Sequence, residues 1–265
     1  MRYVFDNDLH IHSKISLCSG DPEQTSMRIL EYAKENSLKT ICLTDHFWDE
    51  NVQPPMSQWY AKQDYNHISA ALPLPRLTGI RFLFGCETDM DMNMRLGLSK
   101  ERFSDFDFIV VPINHFHMKG ETIPKSMTEV KDIADFWLKR FEALLNMDLP
   151  FHKIGMAHLT CSLMMQGHRD KLLELIDTWK TEDLQRIFTI AAKKGVGIEL
   201  NSGDMKFEDF EANTILRPYK IARDAGCKFY MGSDAHHLKE LDNAKEIFER
   251  AIDLLGLTEN EKFSI

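Results

Sequence analysis

From end to end the chain alternates between short apolar, β-rich runs and stretches of helical periodicity. The apolar runs fall at 3–12, 39–46, 81–88, 106–115, 153–160, 196–202 and 228–234. Helical patterns fall at about 22–36, 61–72, 126–147, 181–194, 212–225 and 239–255. Strands separated by helices pair in parallel, because each helix returns the chain to the same edge of the sheet. FIVV at 108–111 is apolar without alternation, which implies cover on both faces. Seven such units in 265 residues suit one domain, and the expected fold is α/β, a distorted (β/α)7 TIM-like barrel spanning 1–265. An open doubly wound sheet is the competing architecture, but no G-x-G-x-x-G follows the first run. The first helix is expected to start at Pro22 and to bury Met27, Leu30 and Ala33. Residues 47–60 read as a loop, whose Trp48, Trp59 and Tyr60 either cover a pocket or pack on the barrel.

The polar ends of these runs carry the chemistry. Strand one ends with Asp8, His10 and His12; strand two with Asp45 and His46; strand three with Glu87; strand four with His115 and His117. Strand five ends with His158, strand six with Glu199 and Asn201, and strand seven with Asp234, His236 and His237. In a parallel barrel all C-terminal strand ends open on one face, so residues scattered from 8 to 237 are expected to converge there. His10, His12, His46, Glu87, His115, His158, Asp234 and His236 form a set of eight candidate ligands. Imidazole and carboxylate suit zinc, manganese or iron. One catalytic zinc uses about three protein ligands, so the set implies two or three divalent ions, with Glu87 or Asp234 able to bridge. Clustered ions of this kind suit phosphoryl hydrolysis. Asp8 is placed to orient a ligand imidazole, and Asp45 is either such an orienter or a turn residue.

Charge and cysteine usage narrow the partners. The net charge is −9, which argues against long nucleic acid but not against a small anion at a metal centre. No run of 18 apolar residues suggests a membrane span. The five cysteines form no C-x-x-C, so a reducing cytoplasm is the expected compartment. Lys14, Lys119, Arg169 and Arg217 fall in expected strand-end loops, and Arg169 and Arg217 are the better suited to fork onto a phosphate.

With these residues placed, the sequence resembles the PHP (polymerase and histidinol phosphatase) superfamily. The likeness rests on D-L-H-I-H-S at the start, T-D-H at 44–46, G-x-E at 85–87, the histidines at 115 and 158, and S-D-A-H at 233–236. It implies a seven-stranded barrel with up to three metals at its C-terminal face. It places His10, His12, Glu87 and Asp234 around one ion, Glu87 bridging to a second held by His115 and His158, and His46 with His236 at a third. A-H-L-T, E-L-N-S and G-S-D-A-H are similar to the histidinol-phosphate phosphatase branch. That branch carries a further histidine where this chain has Cys18, so Cys18 or Asp21 is the expected substitute. The expected activity is hydrolysis of a small phosphate monoester, L-histidinol phosphate being the branch's substrate, by a metal-activated water, with Asp234 or His236 moving the proton. The alternatives are a nucleotide phosphatase or phosphodiesterase on the same fold, and a non-catalytic metal-binding module. An amidohydrolase-type deaminase is disfavoured because no strand-end lysine is available for a carbamylated bridge.

Overall fold

The computed structural model describes all of residues 1–265. Eight parallel strands form one sheet: β1 (Asn7–Ile11), β2 (Thr40–Leu43), β3 (His46–Phe47), β4 (Arg81–Thr88), β5 (Phe108–Val111), β6 (Ile154–Met156), β7 (Gly197–Asn201) and β8 (Lys228–Gly232). Their order is β1-β2-β4-β5-β6-β7-β8, with the two-residue β3 pairing on the end of β4. The seven expected runs are therefore all present, and the second is split into β2 and β3.

The sheet curls into a nearly closed barrel whose seam lies between β1 and β8. The end of β1 and the chain just after β8 share one bridge, Ile11 with Ala235, and the flanking backbone bonds His12 N–H to Ala235 O (3.1 Å) and Asp234 N–H to His10 O (2.7 Å). Below that point side chains replace the ladder. Asn7 Oδ1 accepts from Met231 N–H at 3.0 Å, and Asp8 Oδ1 from Ser233 N–H at 2.9 Å. This corrects the expectation for Asp8, which closes the seam and does not touch a ligand ring. Burial pushes its carboxyl up to about 7.

Inside the barrel, residues of one parity stack from floor to mouth. The floor is a plug of Leu9, Cys42, Leu83, Phe108, Tyr230 and Phe263 with their neighbours. Nearer the C-terminal strand ends stand Glu87, Glu199 and Gly232. Gly155 is small because a Cβ there would lie 2.4 Å from the Phe108 ring and 2.5 Å from the Tyr230 hydroxyl. Leu9 belongs to the plug and His10 to the mouth, although neighbours on a regular strand face opposite ways. The β1–β2 register shifts between Asp8 and Ile11, and such an irregularity re-aims side chains.

Outside, a 64-residue apolar cluster joins the strands to α1 (Ser26–Glu35), α3 (Val130–Leu145), α4 (Arg169–Thr178), α5 (Thr181–Lys194), α6 (Ala212–Asp224) and α7 (Ala244–Leu255). The first helix starts later than expected, at Ser26, because the Thr25 side chain caps it by accepting from Arg28 N–H. Its buried face is Ile29, Leu30, Tyr32 and Ala33, while Met27 is exposed. The helix expected at 61–72 is only the four-residue α2 (Tyr65–Ile68) between two 3-10 turns. It stops where Leu72 is held extended before Pro73. The α4 helix was not expected. No helix is long and apolar enough to cross a membrane.

Candidate metal centre

The mouth of the barrel gathers nine of the expected side chains. Potential ligand atoms fall into three groups, each within 4.8 Å: His10, His12 and Asp234; Glu87, His115 and His158; His12, Cys18, His46 and His236. In the first group His10 Nε2 lies 3.2 Å from His12 Nε2, and Asp234 Oδ1 lies 3.4 Å and 3.2 Å from the two nitrogens. Donors about 3.3 Å apart form the edge of a tetrahedron whose bonds are about 2.0–2.1 Å, the length zinc prefers with nitrogen and oxygen.

Glu87 spans the groups. Its Oε2 lies 3.3 Å from His12 Nε2, 3.6 Å from His10 Nε2 and 3.0 Å from His46 Nδ1. Its Oε1 lies 3.4 Å from His158 Nε2 and 3.8 Å from His115 Nε2. His46 Nδ1 is buried and makes no hydrogen bond, since Glu87 sits beside it without being aligned. An unpartnered buried nitrogen among carboxylates is what a cation would satisfy. The donor set thus fits divalent metal.

Five of the six clustered imidazoles have Nδ1 held by another group, which aims Nε2 inward. Glu199 Oε1 holds His10 at 2.7 Å, Ser16 Oγ holds His12 at 3.1 Å, and Asp89 Oδ2 holds His115 at 2.9 Å. Asn114 Oδ1 holds His158 at 2.9 Å, and the Asp234 carbonyl holds His236 at 2.8 Å. Ser16, Asp89 and Asn114 were missed from sequence, and Glu199 was noted without a role. Asp89 sits two residues past Glu87, on the same face of an extended chain, which was the available signal. Asp45 resolves as an orienter of the loop: its carboxylate accepts from Ser13 N–H at 2.7 Å and Ser13 Oγ–H at 2.8 Å, next to Ser16.

Glu199 has a second task. Its Oε2 accepts from His158 N–H at 2.6 Å, and His158 adopts φ 27°, as Asp234 adopts φ 53°. Both are non-glycine residues in left-handed backbone, a conformation kept where surroundings over-determine it and concentrated at functional sites. Gly232 makes room: a Cβ there would lie 1.8 Å from Glu199 Oε1.

Electrostatically the cluster is a cage of opposed charges. Burial disfavours charge on His12 and His158, yet Glu87 with Asp234 raises both to about 9. Burial likewise opposes ionisation of Glu87 and Asp234, but the imidazoles hold both carboxyls well below the usual range. Burial, with His12 adding, lowers His236 to about 4. Cys18 is exposed as a residue, but its sulfur sits among the donors. Desolvation there, with Glu87 and Asp234 nearby, pushes the thiol up to about 12.

Asp21 stays outside the groups, accepting from Glu23 and Leu238 N–H. The cation expectations are corrected. Arg169 forks onto Glu211 at 2.6 and 2.7 Å, and Arg217 lies within α6 and donates to the carbonyls of Trp179 and Ile176. Both guanidiniums are thus spent on joining α4 to its neighbours. Lys119 Nζ donates to Met127 O, and Lys14 is exposed. A cavity of roughly 250 Å³ opens above the donors, and Trp59 and Tyr60 line it, whereas Trp48 is buried and donates to Val52 O. His117 also lines it, while His237 turns away towards Asp21.

A nearly closed parallel barrel with a shared-carboxylate donor cluster at its C-terminal mouth defines the class. The family model described as "PHP domain" matches residues 8–203, and the chain belongs to that family. Among solved structures, the chain is similar to a histidinol phosphate phosphatase from Lactococcus lactis, complexed with zinc, L-histidinol and phosphate. The TM-score is 0.55 at 13% identity, over 98% of this chain and 99% of that one. It is also aligned with a probable 2-pyrone-4,6-dicarboxylic acid hydrolase from Acinetobacter baumannii with bound citric acid, at TM-score 0.43 and 12% identity over 97% of each chain. No curated protein sequence matches it.

Proposed function

We propose that this protein is a metal-dependent phosphoesterase that hydrolyses a small phosphate monoester. One observation carries the reading: Glu87 divides its two oxygens between neighbouring donor groups, the arrangement a bridging carboxylate needs. His10, His12, Glu87 and Asp234 would hold one ion. Glu87, His115 and His158 would hold a second. His46, Cys18 and His236, with His12 in reach, would hold a third. Zinc, manganese and iron all accept such ligands. Bound there, divalent ions supply Lewis acidity to phosphoryl oxygens and acidify water.

The chain's own residues do the rest. Glu199, Asp89, Asn114 and Ser16 fix the imidazoles before substrate arrives, so the site needs little rearrangement. His236 Nδ1 donates to the Asp234 carbonyl, which leaves Nε2 either to hold the third ion or, in a two-ion site, to accept or return a proton. Burial keeps that ring neutral near pH 7, the form that either role needs. Asp234 holds its Oδ2 3.3 Å from Asn201 Nδ2, which orients Oδ1 towards His10 and His12. Trp59 and Tyr60 shield the mouth from bulk water.

The test compares metal content and phosphomonoesterase turnover in the metal-reconstituted protein, His10→Ala and Cys18→Ala. His10→Ala is expected to lose metal and at least about 100-fold in turnover, and Cys18→Ala to lose one ion. Full metal content and full activity in His10→Ala would overturn the reading.

A further inference from the structure

The cavity wall above the donors carries a second message. Among its lining residues the only carboxylates are Glu87 and Asp234, both assigned to metal, and there is no lysine or arginine. Cys18, His117 and the donor imidazoles add polar atoms but no carboxylate, and the remaining wall is apolar. Trp59 and Tyr60 come from the loop after β3, Met118 from the loop after β5, and Leu163 from the loop after β6. Leu163 is 38% exposed, so its side chain is held in the mouth and not in the core. Trp59 stands edge-on to His46, with ring centroids 5.1 Å apart, so it reaches the donors themselves. Three separate loops thus deliver large apolar groups to one rim around a metal-type floor.

Resting on the phosphomonoesterase reading, we infer that the substrate is a phosphate monoester whose alcohol portion is uncharged and carries one apolar, ring-sized group. The phosphoryl end belongs on the floor, and the ring lies between Trp59 and Leu163. An ammonium in the alcohol portion would lose its water and find no free carboxylate, which is costly. A nucleotide would bring a sugar and a base. A cavity of roughly 250 Å³ is below the range of about 300–1,000 Å³ that suits drug-sized ligands. This points away from the ammonium-bearing amino-alcohol phosphate that the sequence likeness suggests.

The metal-reconstituted protein should be assayed on benzyl phosphate, ethyl phosphate, phosphoethanolamine, L-histidinol phosphate and AMP. All release an alkyl alcohol, so intrinsic reactivity varies little across the panel. The expected kcat/KM for benzyl phosphate exceeds each of the others by about tenfold or more, the value of a ring buried against Trp59 and Leu163. A second readout is independent of turnover. Trp59 alone of the four tryptophans is not buried, so binding of non-hydrolysable benzylphosphonate should change tryptophan emission, and Trp59→Phe should remove most of that change. Trp59→Ala should raise KM for benzyl phosphate about fivefold more than for ethyl phosphate. Phosphoethanolamine or L-histidinol phosphate turned over as efficiently as benzyl phosphate would overturn the inference and leave the phosphatase reading standing. Hydrolysis of no member by a fully metallated protein would overturn both.

Discussion

Glu199 shows how much can hang on one side chain that binds no metal. Its two oxygens tie His10 on β1 to the His158 backbone beyond β6, so it sets two donors at once. Gly232 is its silent partner on β8. Gly232→Ala would force Glu199 off His10, because the new Cβ meets Oε1 at 1.8 Å. The variant should fold and lose about 10–100-fold in metal affinity, measured by competition with a chromogenic chelator. Unchanged affinity would show that His10 is oriented by something else. The donors were legible in sequence because a histidine or carboxylate at a strand end announces itself. Their orienters were less so. Ser16, Asp89 and Asn114 are ordinary loop residues until folding brings them beside a ring.

Arg140 of α3 plays the matching role between elements. It is fully buried and donates to the carbonyls of Met90, Asp91, Ile113 and Thr122. These carbonyls belong to the chain after β4, which carries Asp89, and to the chain after β5, which carries His115 and Met118. Burial lowers the guanidinium to about 10, which leaves it charged at neutral pH. Arg140→Met would keep the volume and strand the buried carbonyls of Met90, Ile113 and Thr122 at about 1–3 kcal/mol each, while Asp91 O keeps Met94 N–H. Urea unfolding should therefore show a loss of at least about 3 kcal/mol, and a loss under about 1 kcal/mol would refute the staple. The strand pattern was legible at this scale because buried parallel strands are apolar throughout. The 61–72 segment misled because its helical periodicity says nothing of Pro73 stopping it. In the same way α4 was missed, and with it the reason Arg169 and Arg217 are occupied: they join α4 to α6 and its flank.

The molecule as a whole balances a charged mouth against a dry floor, and its pH behaviour should show this. Asp204, in the loop after β7, accepts from Thr160 N–H at 2.8 Å and Tyr219 O–H at 2.7 Å. Burial nevertheless raises its carboxyl to about 6. A carboxyl whose folded value lies above its unfolded value of about 3.9 stabilises the fold below pH 3.9, and that contribution is lost as pH rises through 6. Asp204→Asn keeps both hydrogen bonds without the buried charge. It should be neutral below about pH 4 and more stable above pH 6, by up to roughly 3 kcal/mol. Denaturant titrations at pH 4 and pH 7.5 would check the sign, and a variant less stable at pH 7.5 would contradict it.

Composition and pattern alone determined the class of fold, the face on which chemistry collects and most of the residues that collect there. These follow from local rules: strands apolar throughout, helices between them, and polar residues at one end. The seam held by Asn7 and Asp8, the glycine that admits Glu199, the pairing of Arg169 with Glu211 and the apolar rim of Trp59, Met118 and Leu163 follow from none of these. Each depends on which distant side chains meet once the barrel closes, and closure joins residues more than two hundred positions apart, such as Asp8 and Ser233. A side chain's type is local, whereas its partner is a property of the whole packing.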